Sequence, residues 1–480
     1  MAQMVDALNN ILWSKALIYL CLGTGLYFSL RTRFLQVRHI KAMVKLLFGG
    51  KASDQGITSF QAFALAVAGR VGTGNIAGVA TAIAMGGPGA VFWMWMIAFL
   101  GAGSAYVESV LAQVYKVEVD GEYRGGPHYF IERGMGVKWY AILFAVATVI
   151  GMGFFLPGVQ SNSIGSSMQN AFGISPAITG VVIVVLLGLI IFGGVKRIGR
   201  AAEMIVPFMA IAYMLVALVV IAVNITKLPA VISLIVSSAF GANQAFGGIL
   251  GTAISWGVKR GIYSNEAGQG TGPIAAAAAE VSHPAKQGLV QAFSVYFDTL
   301  FVCSATAFMI LITGSYNVHL GDGFIVENLP GVGFGPAYTQ TAVDTLIPGF
   351  GSAFVAIALF FFAFTTLMAY YYYAETSIAY LFKKGPTRHT AINVIRVILL
   401  ISIYYGTVRT ASLAWGLGDI GVGLMAWLNI IAIIIMQKTA FLTLTDYEAQ
   451  IAQGLDPVFD PVKLGIKNSD IWTKIGKNYK

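Results

Sequence analysis

Apolar runs of about 20 residues recur along the whole chain of 480 residues, and such a run can cross the roughly 30 Å hydrocarbon core of a bilayer as a helix. Only 11% of the residues are charged, whereas soluble domains have about 25%. The runs are continuous rather than alternating, which favours helices over barrel strands. The sequence therefore predicts an all-α polytopic membrane protein in contact with a lipid bilayer.

The apolar runs predict about eleven membrane-spanning helices. We place these helices at 11–30, 57–83, 88–115, 138–167, 175–193, 201–224, 240–262, 287–314, 350–380, 388–408 and 412–436. A short helix is expected over 225–239, and a loop rich in Gly and Pro over 315–349.

Basic residues alternate between the predicted loops. All of the 30 Lys and Arg residues except four lie in the loop after the first span, in every second loop thereafter, or in the tail. The four exceptions are Lys15, Arg70, Lys227 and Arg409. Because basic residues favour cytoplasmic loops, the pattern predicts a multi-pass protein of the plasma membrane with its N-terminus outside and its C-terminus in the cytoplasm. The net charge of +9 therefore reflects topology and indicates no nucleic-acid partner.

The sequence GRVGTGNIAGVA, residues 69–80, interrupts the second span. Arg70 lies roughly 20 Å along this span at helical rise, near the bilayer midplane, and Gly72 and Gly74 follow it. Each glycine weakens a helix interior by about 1 kcal/mol relative to alanine. We expect the helix to unwind here, so that freed carbonyls bind a cation and freed N–H groups bind a small zwitterion. The alternative is a helix that begins at Val71, with Arg70 at the surface.

A second break is expected five spans later if the chain contains an inverted repeat. Span 240–262 has Gly247, Gly248 and Gly251 near its middle. The spacing predicts four regions: an extra N-terminal helix and loop (1–56), a first five-helix repeat (57–224), an outer segment with a second five-helix repeat (225–437), and a cytoplasmic tail (438–480).

Ionisable residues inside predicted spans are candidates for function. Asp298 lies well inside its span and is a candidate cation ligand, proton carrier or structural partner of Arg70. Glu108 is the stronger candidate for an ion pair with Arg70.

Polar uncharged residues also lie within predicted spans. The hydroxyls of Thr365 and Thr366 either complete a sodium shell or bond to their own helix. Gln160 lies in the outer half of its span and is a candidate for the solute pathway.

Enzyme motifs are lacking in the sequence. GQGTG at 268–272 follows a membrane helix and no strand precedes it, so a dinucleotide-binding loop fails its context test. His128 and His283 fall in loops, where we expect them to be solvated. No nucleophile–base pair or metal cluster stands out, so the sequence predicts neither an enzyme nor a cofactor.

Four stretches together resemble the alanine/glycine:cation symporter family, also called sodium:alanine symporters. They are GGPGAVFWMWMIAFLGAGSAYVESVLAQVYK (86–116), RVGTGNIAGVA (70–80), YSNEAGQGTGPIAAAAA (263–279) and GLDPVFDP (454–461). The resemblance covers nearly the whole chain. It implies a LeuT-type fold of the amino acid-polyamine-cation superfamily, with a 5+5 inverted repeat and one extra N-terminal helix. It also implies uptake of alanine or glycine by alternating access, with sodium as the coupling ion.

The resemblance also implies site residues. Substrate contacts would come from Thr73, Gly74 and Asn75 at the first break and from Phe246, Gly247 and Gly248 at the second. A sodium site would combine the carbonyls of Ala68 and Val71 with the hydroxyls of Thr365 and Thr366.

Other functions remain open at this point. Asn75 and Asp298 lie where a second cation site can occur in this fold, although Arg70 would repel a second ion nearby. The first alternative function is a proton-coupled amino acid symporter with Asp298 as the carrier. A more distant alternative is a channel, whose pore would need a repeated ring of charges or carbonyls.

Overall fold

The computed structural model describes residues 2–50, 52–192, 194–382 and 385–476. This part of the chain is mostly helical, as predicted. Its α-helices are α1 (Ala2–Leu12), α2 (Lys15–Arg31), α3 (Leu35–Arg38), α4 (Ile40–Leu47), α5 (Ser59–Arg70), α6 (Val79–Gly86), α7 (Gly89–Val114), α8 (Pro127–Phe130), α9 (Lys138–Ile150), α10 (Leu156–Phe172), α11 (Pro176–Ile191), α12 (Gly194–Val223), α13 (Leu228–Ala239), α14 (Leu250–Asn265), α15 (Gly272–Ala277), α16 (Pro284–Tyr296), α17 (Ser304–Thr313), α18 (Pro336–Asp344), α19 (Phe350–Leu381), α20 (Pro386–Thr407), α21 (Ala411–Ala452) and α22 (Ile471–Ile475).

Within the described residues, two short antiparallel hairpins lie between helices. They pair β1 (Val117–Val119) with β2 (Glu122–Arg124), and β3 (Asn317–Leu320) with β4 (Gly323–Glu327). The same part of the chain has four π-helical turns that extend or join helices, at Gly74–Gly78, Ile131–Met135, Gly151–Phe155 and Phe297–Cys303. Such turns are often found at functional sites.

Several helices of the described residues are suited to a bilayer. Seven are long and apolar enough to cross it, and the number rises to nine if each of two bent pairs counts as one span. The bent pairs are α1 with α2, at 40°, and α5 with Gly74–Gly86, at 50°. These helices confirm a multi-pass membrane protein, while the number eleven stays a prediction.

The first expected break is present. Helix α5 begins with a capping box, in which Thr58 Oγ1 accepts from Gln61 N–H at 3.0 Å and Gln61 Oε1 accepts from Thr58 N–H at 3.1 Å. The helix ends at Arg70, and Val71 leaves the helical region with ψ 87°. Helical structure returns at Gly74 after a change of direction. The prediction of an unwound segment after Arg70 is therefore confirmed.

The second break lies elsewhere than the sequence analysis placed it. Gly247 and Gly248 form part of a single turn before α14, and α14 then continues to Asn265. The chain leaves the helix over 266–271, where Gly268 and Gly270 have φ +80° and +90°. Glycine adopts this left-handed backbone at little cost, which ends a helix. The expected break at Gly247 and Gly248 is therefore wrong.

Helix α7 forms the centre of the packing around the breaks, with α14, α15 and α16 against it. Helix α5 packs against α12 and α19, and α10 packs against α19, α20 and α21. Both unwound segments consequently lie inside the bundle: the first contacts α10, α16 and α19, and the second contacts α7, α9 and α21.

The C-terminal segment folds back onto the helices. Trp472 is buried, and its Nε1 donates to the Gln113 carbonyl at 3.0 Å. The Phe459 N–H donates to the Ser282 carbonyl at 2.9 Å. This part of the predicted tail is therefore docked against the protein.

Two histidines expected to be solvated are buried. His283 caps α16, because its Nδ1 accepts from Ala285 N–H at 3.1 Å. His128 packs among aromatic rings, and burial lowers its pKa to about 3. The expectation of solvated histidines is wrong, since both rings fill space between helices.

Candidate functional site

Oxygen atoms from two distant segments meet at the first break. Thr366 Oγ1 on α19 lies 2.8 Å from the Ala68 carbonyl oxygen, 3.4 Å from that of Val71 and 3.0 Å from that of Phe362. Thr365 Oγ1 lies 2.9 Å from the same Phe362 carbonyl. Hard cations prefer such oxygen ligands. The structure thus brings three of the four predicted sodium ligands together: the Thr366 hydroxyl and the carbonyls of Ala68 and Val71. Thr365 Oγ1 bonds its own helix at the Phe362 carbonyl and otherwise faces Met209 Sδ on α12, at 3.8 Å.

Gly72 lies between the oxygen cluster and α10. A Cβ atom at this position would collide with Thr366 Oγ1 and lie 2.8 Å from Gln160 Oε1. Gln160 Oε1 accepts from the Thr73 N–H at 3.0 Å, and Gln160 Nε2 donates to the Tyr370 hydroxyl at 3.4 Å. Gln160 therefore satisfies a backbone group that the unwound segment has freed.

Asn75 connects the first break to the π-helical turn Phe297–Cys303. Asn75 Oδ1 accepts from Gly72 N–H at 2.9 Å, and its Nδ2 donates to Asp298 Oδ1 at 2.7 Å. Asp298 also accepts from the hydroxyls of Ser264 at 2.9 Å and Thr299 at 2.7 Å. Asp298 is thus a buried carboxylate with three donor groups, placed where both interrupted segments meet.

Arg70 and Glu108 do not form the expected ion pair within the described residues. Arg70 instead donates from Nη1 to Ser294 Oγ on α16. The Glu108 carboxylate accepts from the Gly268 N–H at 3.2 Å and from Asn429 Nδ2 at 2.6 Å. The expectation is wrong because the second break leaves backbone N–H groups without helical partners, and Glu108 binds one of them.

The predicted substrate residues Phe246, Gly247 and Gly248 lie away from the first break. A Cβ atom at Gly87, just after the end of α6, would lie 3.2 Å from the Phe246 ring, and Gly248 has open space beside it. The C-terminal end of α14 does approach the first break, because the Cα atom of Ser264 would lie 3.1 Å from a Cβ atom built at Gly74. The sequence analysis did not place this end of α14 at the site, although the glycines of GQGTGP, which follow it, are typical of a helix end.

Lys259 and Arg260 lie within α14, although the sequence analysis assigned them to a loop. The Arg260 guanidinium forms two bonds of 2.9 Å with the Asp419 carboxylate on α21. Lys259 Nζ lies 2.7 Å from the same carboxylate. The Trp415 ring lies 4.4 Å from Arg260 Cζ. The Asp419 carboxylate balances one of the two positive charges, and the aromatic ring covers the guanidinium, so these basic residues can lie within a helix.

A groove of about 600 Å³ lies on another part of the surface, between α5, α12 and α16. Its walls are apolar and include Phe60, Phe63, Phe293 and Phe297. A zwitterion would lose its hydration there without gaining hydrogen bonds. The breaks, and not this groove, offer a site for a small polar solute.

Paired helix breaks around polar groups inside a membrane bundle define a secondary active transporter. The solved structure of MhsT in complex with L-phenylalanine is similar in fold, with a TM-score of 0.53, 14% identity, and coverage of 81% of this chain and 100% of that chain. The likeness indicates a LeuT-type transporter fold.

The chain belongs to the sodium:alanine symporter family, whose model matches residues 1–461. It is 66% identical over 475 residues to YrbD of Bacillus subtilis, a provisionally named sodium/proton-dependent alanine carrier, covering 99% of this chain and 98% of YrbD. It is 54% identical over 433 residues to the sodium/proton-dependent alanine carrier protein of Bacillus sp. strain PS3 (90% and 97% covered). The sodium/alanine symporter AgcS of Methanococcus maripaludis is 38% identical over 445 residues (90% and 94% covered). This family membership confirms a transporter rather than an enzyme.

Proposed function

We propose that the protein is a sodium-coupled symporter that takes up alanine and glycine by alternating access. The observation that carries this proposal is the oxygen cluster at the first break, where Thr366 Oγ1 approaches the carbonyls of Ala68 and Val71. Sodium bound among these oxygens would link α19 to the unwound segment. Binding of the ion would therefore favour one arrangement of the helices, as coupled transport requires.

The substrate site of the proposal lies beside the oxygen cluster. Thr73, Gly74, Asn75 and Gln160 line the first break, and the unwound segment 266–271 faces it in place of Phe246, Gly247 and Gly248. The Thr73 hydroxyl is buried and has no hydrogen-bonding partner within the described ranges, so it is available to a solute. A small solute suits this position, because the glycines of the first break contact neighbouring side chains closely.

The proposed architecture is an inverted repeat of 57–224 and 225–437. The breaks after α5 and after α14 support it, since each half then contains one interrupted helix. The N-terminus would lie outside and the tail of 438–480 in the cytoplasm, as the distribution of basic residues predicts.

Proton coupling is the second candidate function. The names of the YrbD and PS3 relatives include both ions, and the buried Asp298 is either a second cation site or a proton carrier. Asp298 would serve a cation well, because three donor groups fix the position of its carboxyl oxygens.

The test is uptake of labelled alanine into proteoliposomes under an inward gradient of sodium, of protons, or of neither. We expect accumulation with the sodium gradient and competition by unlabelled glycine. Accumulation with the proton gradient alone would favour the second candidate. Equilibration without accumulation under every gradient would contradict both and indicate a channel.

A further inference from the structure

Glu266 is a buried acid that the proposed sodium and alanine sites do not use. It lies at the point where α14 ends and is 1% exposed. Its backbone is left-handed, with φ +55°, a conformation that residues with a Cβ atom rarely adopt. The surrounding structure therefore fixes this carboxyl group at the second break, in the interior of the bundle.

Neither carboxyl oxygen of Glu266 has a hydrogen-bonding partner in the part of the chain that the structure describes. The same holds for the side chains of Gln269 and Thr271 in this break, and for the Tyr373 hydroxyl. Buried polar groups are normally paired. An unpaired carboxyl in such a place is held at the lowest cost as the neutral acid, or with a bound cation or water.

The Glu266 carboxyl also faces the first break. A Cβ atom at Gly69 would lie 3.3 Å from Glu266 Oε2 and 2.6 Å from the Tyr373 hydroxyl oxygen. The acid and the phenol thus lie against the same glycine of α5. A change in charge on Glu266 would act directly on the segment that carries the proposed sodium ligands.

The charged and titratable groups around Glu266 come from several elements. They are Arg70 of α5, Glu108 of α7, Tyr263 of α14, Asp298 of the π-helical turn, and Tyr370 and Tyr373 of α19. Arg70 is the cation of this set, and its Nε and Nη2 have no hydrogen-bonding partner among the described residues. Arg70 Nη2 contacts Gly272, the first residue after the break.

Glu266 and Asp298 are therefore suited to different ligands. Asp298 has three donor groups, which stabilise an anion or a carboxylate that binds a cation. Glu266 is approached by one hydroxyl, that of Thr271 in the same break, and no bond to its carboxyl oxygens meets hydrogen-bond geometry among the described residues.

We propose that Glu266 is the proton-binding group of the transporter, and that Asp298 is not. Protonation makes Glu266 neutral, so it can donate a hydrogen bond within the break. Release of the proton leaves an anion near the unpaired nitrogens of Arg70, and the attraction between them draws the two breaks together. This inference rests on the alanine transport proposed above and on its second candidate, proton coupling, because it names the group that makes alanine transport dependent on protons.

The experiment measures proton entry into proteoliposomes that contain a pH-sensitive dye, after addition of external alanine with and without sodium. The wild-type protein should acidify the lumen, and its alanine uptake should vary with pH. Glu266→Gln should bind alanine in sodium but acidify the lumen no faster than empty liposomes, with uptake that no longer varies with pH. Glu327→Gln, at an exposed position on β4, is the matched control and should acidify the lumen at the wild-type rate. In Asp298→Asn, the number of protons that enter per alanine should keep its wild-type value, and a loss of proton entry with alanine uptake retained would overturn the assignment.

Acidification by Glu266→Gln at the wild-type rate would overturn the proposal. So would a wild-type protein that accumulates alanine with sodium but moves no protons and has a flat pH profile; the proposed sodium symport would then stand. Absence of alanine uptake under every gradient would instead overturn the proposed function. If Glu266→Gln does not fold, Glu266→Asp and Tyr373→Phe decide, because each should shift the midpoint of the pH profile, and unshifted midpoints would contradict the role of Glu266.

Discussion

The hydroxyl oxygen of Thr366 lies 2.8 Å from the carbonyl oxygen of Ala68, although 298 positions separate the two residues in the chain. This contact joins the long helix α19 to the unwound segment after α5. A sodium ion bound by the lone pairs of these oxygens, with the hydroxyl keeping its proton and turning it away from the ion, would hold the same two elements together. The proposed coupling therefore has a specific location, where the ion and the solute share one segment of backbone.

Replacement of Thr366 by valine should raise the sodium concentration needed for half-maximal alanine uptake by about tenfold, or roughly 1.4 kcal/mol. Valine keeps the shape of the side chain but removes the hydroxyl ligand. Thr366→Ser is the matched control, because it retains the hydroxyl and should stay near wild type. The measurement is alanine uptake into proteoliposomes over a series of sodium concentrations, and equal sodium dependence in all three proteins would remove Thr366 from the ion site.

Gly72→Ala should abolish transport. Its methyl group would collide with Thr366 Oγ1 and press on Gln160 Oε1, so the unwound segment would have to move. Gly248→Ala is the control and should leave uptake intact, since there is open space beside Gly248. Uptake and the melting temperature of both purified variants provide the comparison. If Gly248→Ala alone lost uptake, the second break would lie at Gly247 and Gly248, as the sequence analysis predicted.

Asn75→Ala should weaken alanine binding. The change removes the acceptor for the Gly72 N–H and one donor to Asp298, and each buried group left unpaired costs about 1–3 kcal/mol. Asn224→Ala is a suitable control, because Asn224 follows the end of α12 and its Nδ2 donates to the nearby Val220 carbonyl, at 3.0 Å. Titration of labelled alanine onto the purified proteins in sodium gives the affinities. A wild-type affinity in Asn75→Ala would place the solute elsewhere.

Arg260→Ala should destabilise the protein by about 3–5 kcal/mol, as is typical when one partner of a buried ion pair is removed. The variant loses both bonds to Asp419, and among the described residues Lys259 remains as the cation beside that carboxylate. Arg133→Ala breaks a pair with Asp470, whose side chain is 85% exposed, and should change stability by no more than about 1 kcal/mol. Thermal unfolding in detergent measures both effects. Equal melting temperatures for the two variants would show that the Arg260 pair does not hold α14 to α21.

The first break could be predicted from sequence because its signal is local. Arg70, Gly72 and Gly74 together make a continuous helix unfavourable at mid-bilayer depth. The second break was misplaced because glycine in membrane helices also permits close packing. Gly257 and Gly261 show this role, since a Cβ at either position would press on α7. The glycines of the second break differ from these packing glycines, because Gly268 and Gly270 in GQGTGP have a left-handed backbone and interrupt the helix.

Long-range partners were predictable in part. The convergence of Thr366 with Ala68 and Val71 was predicted from the family resemblance, and the residues do meet. The hydrogen-bonding partner of Glu108 was not predicted, because the choice between Arg70 and the Gly268 N–H depends on the position of the second break. Glu266 escaped attention for the same reason: within YSNEAGQGTG it reads as a loop residue until the break is known to lie inside the bundle.

The most direct test of the central claim is the binding of labelled alanine to the purified protein in sodium buffer and in potassium buffer. If the ion and the solute share the first break, alanine should bind in sodium and weakly or not at all in potassium, and alanine should raise the affinity for sodium by the same factor. Equal affinity for alanine in the two buffers would contradict the account.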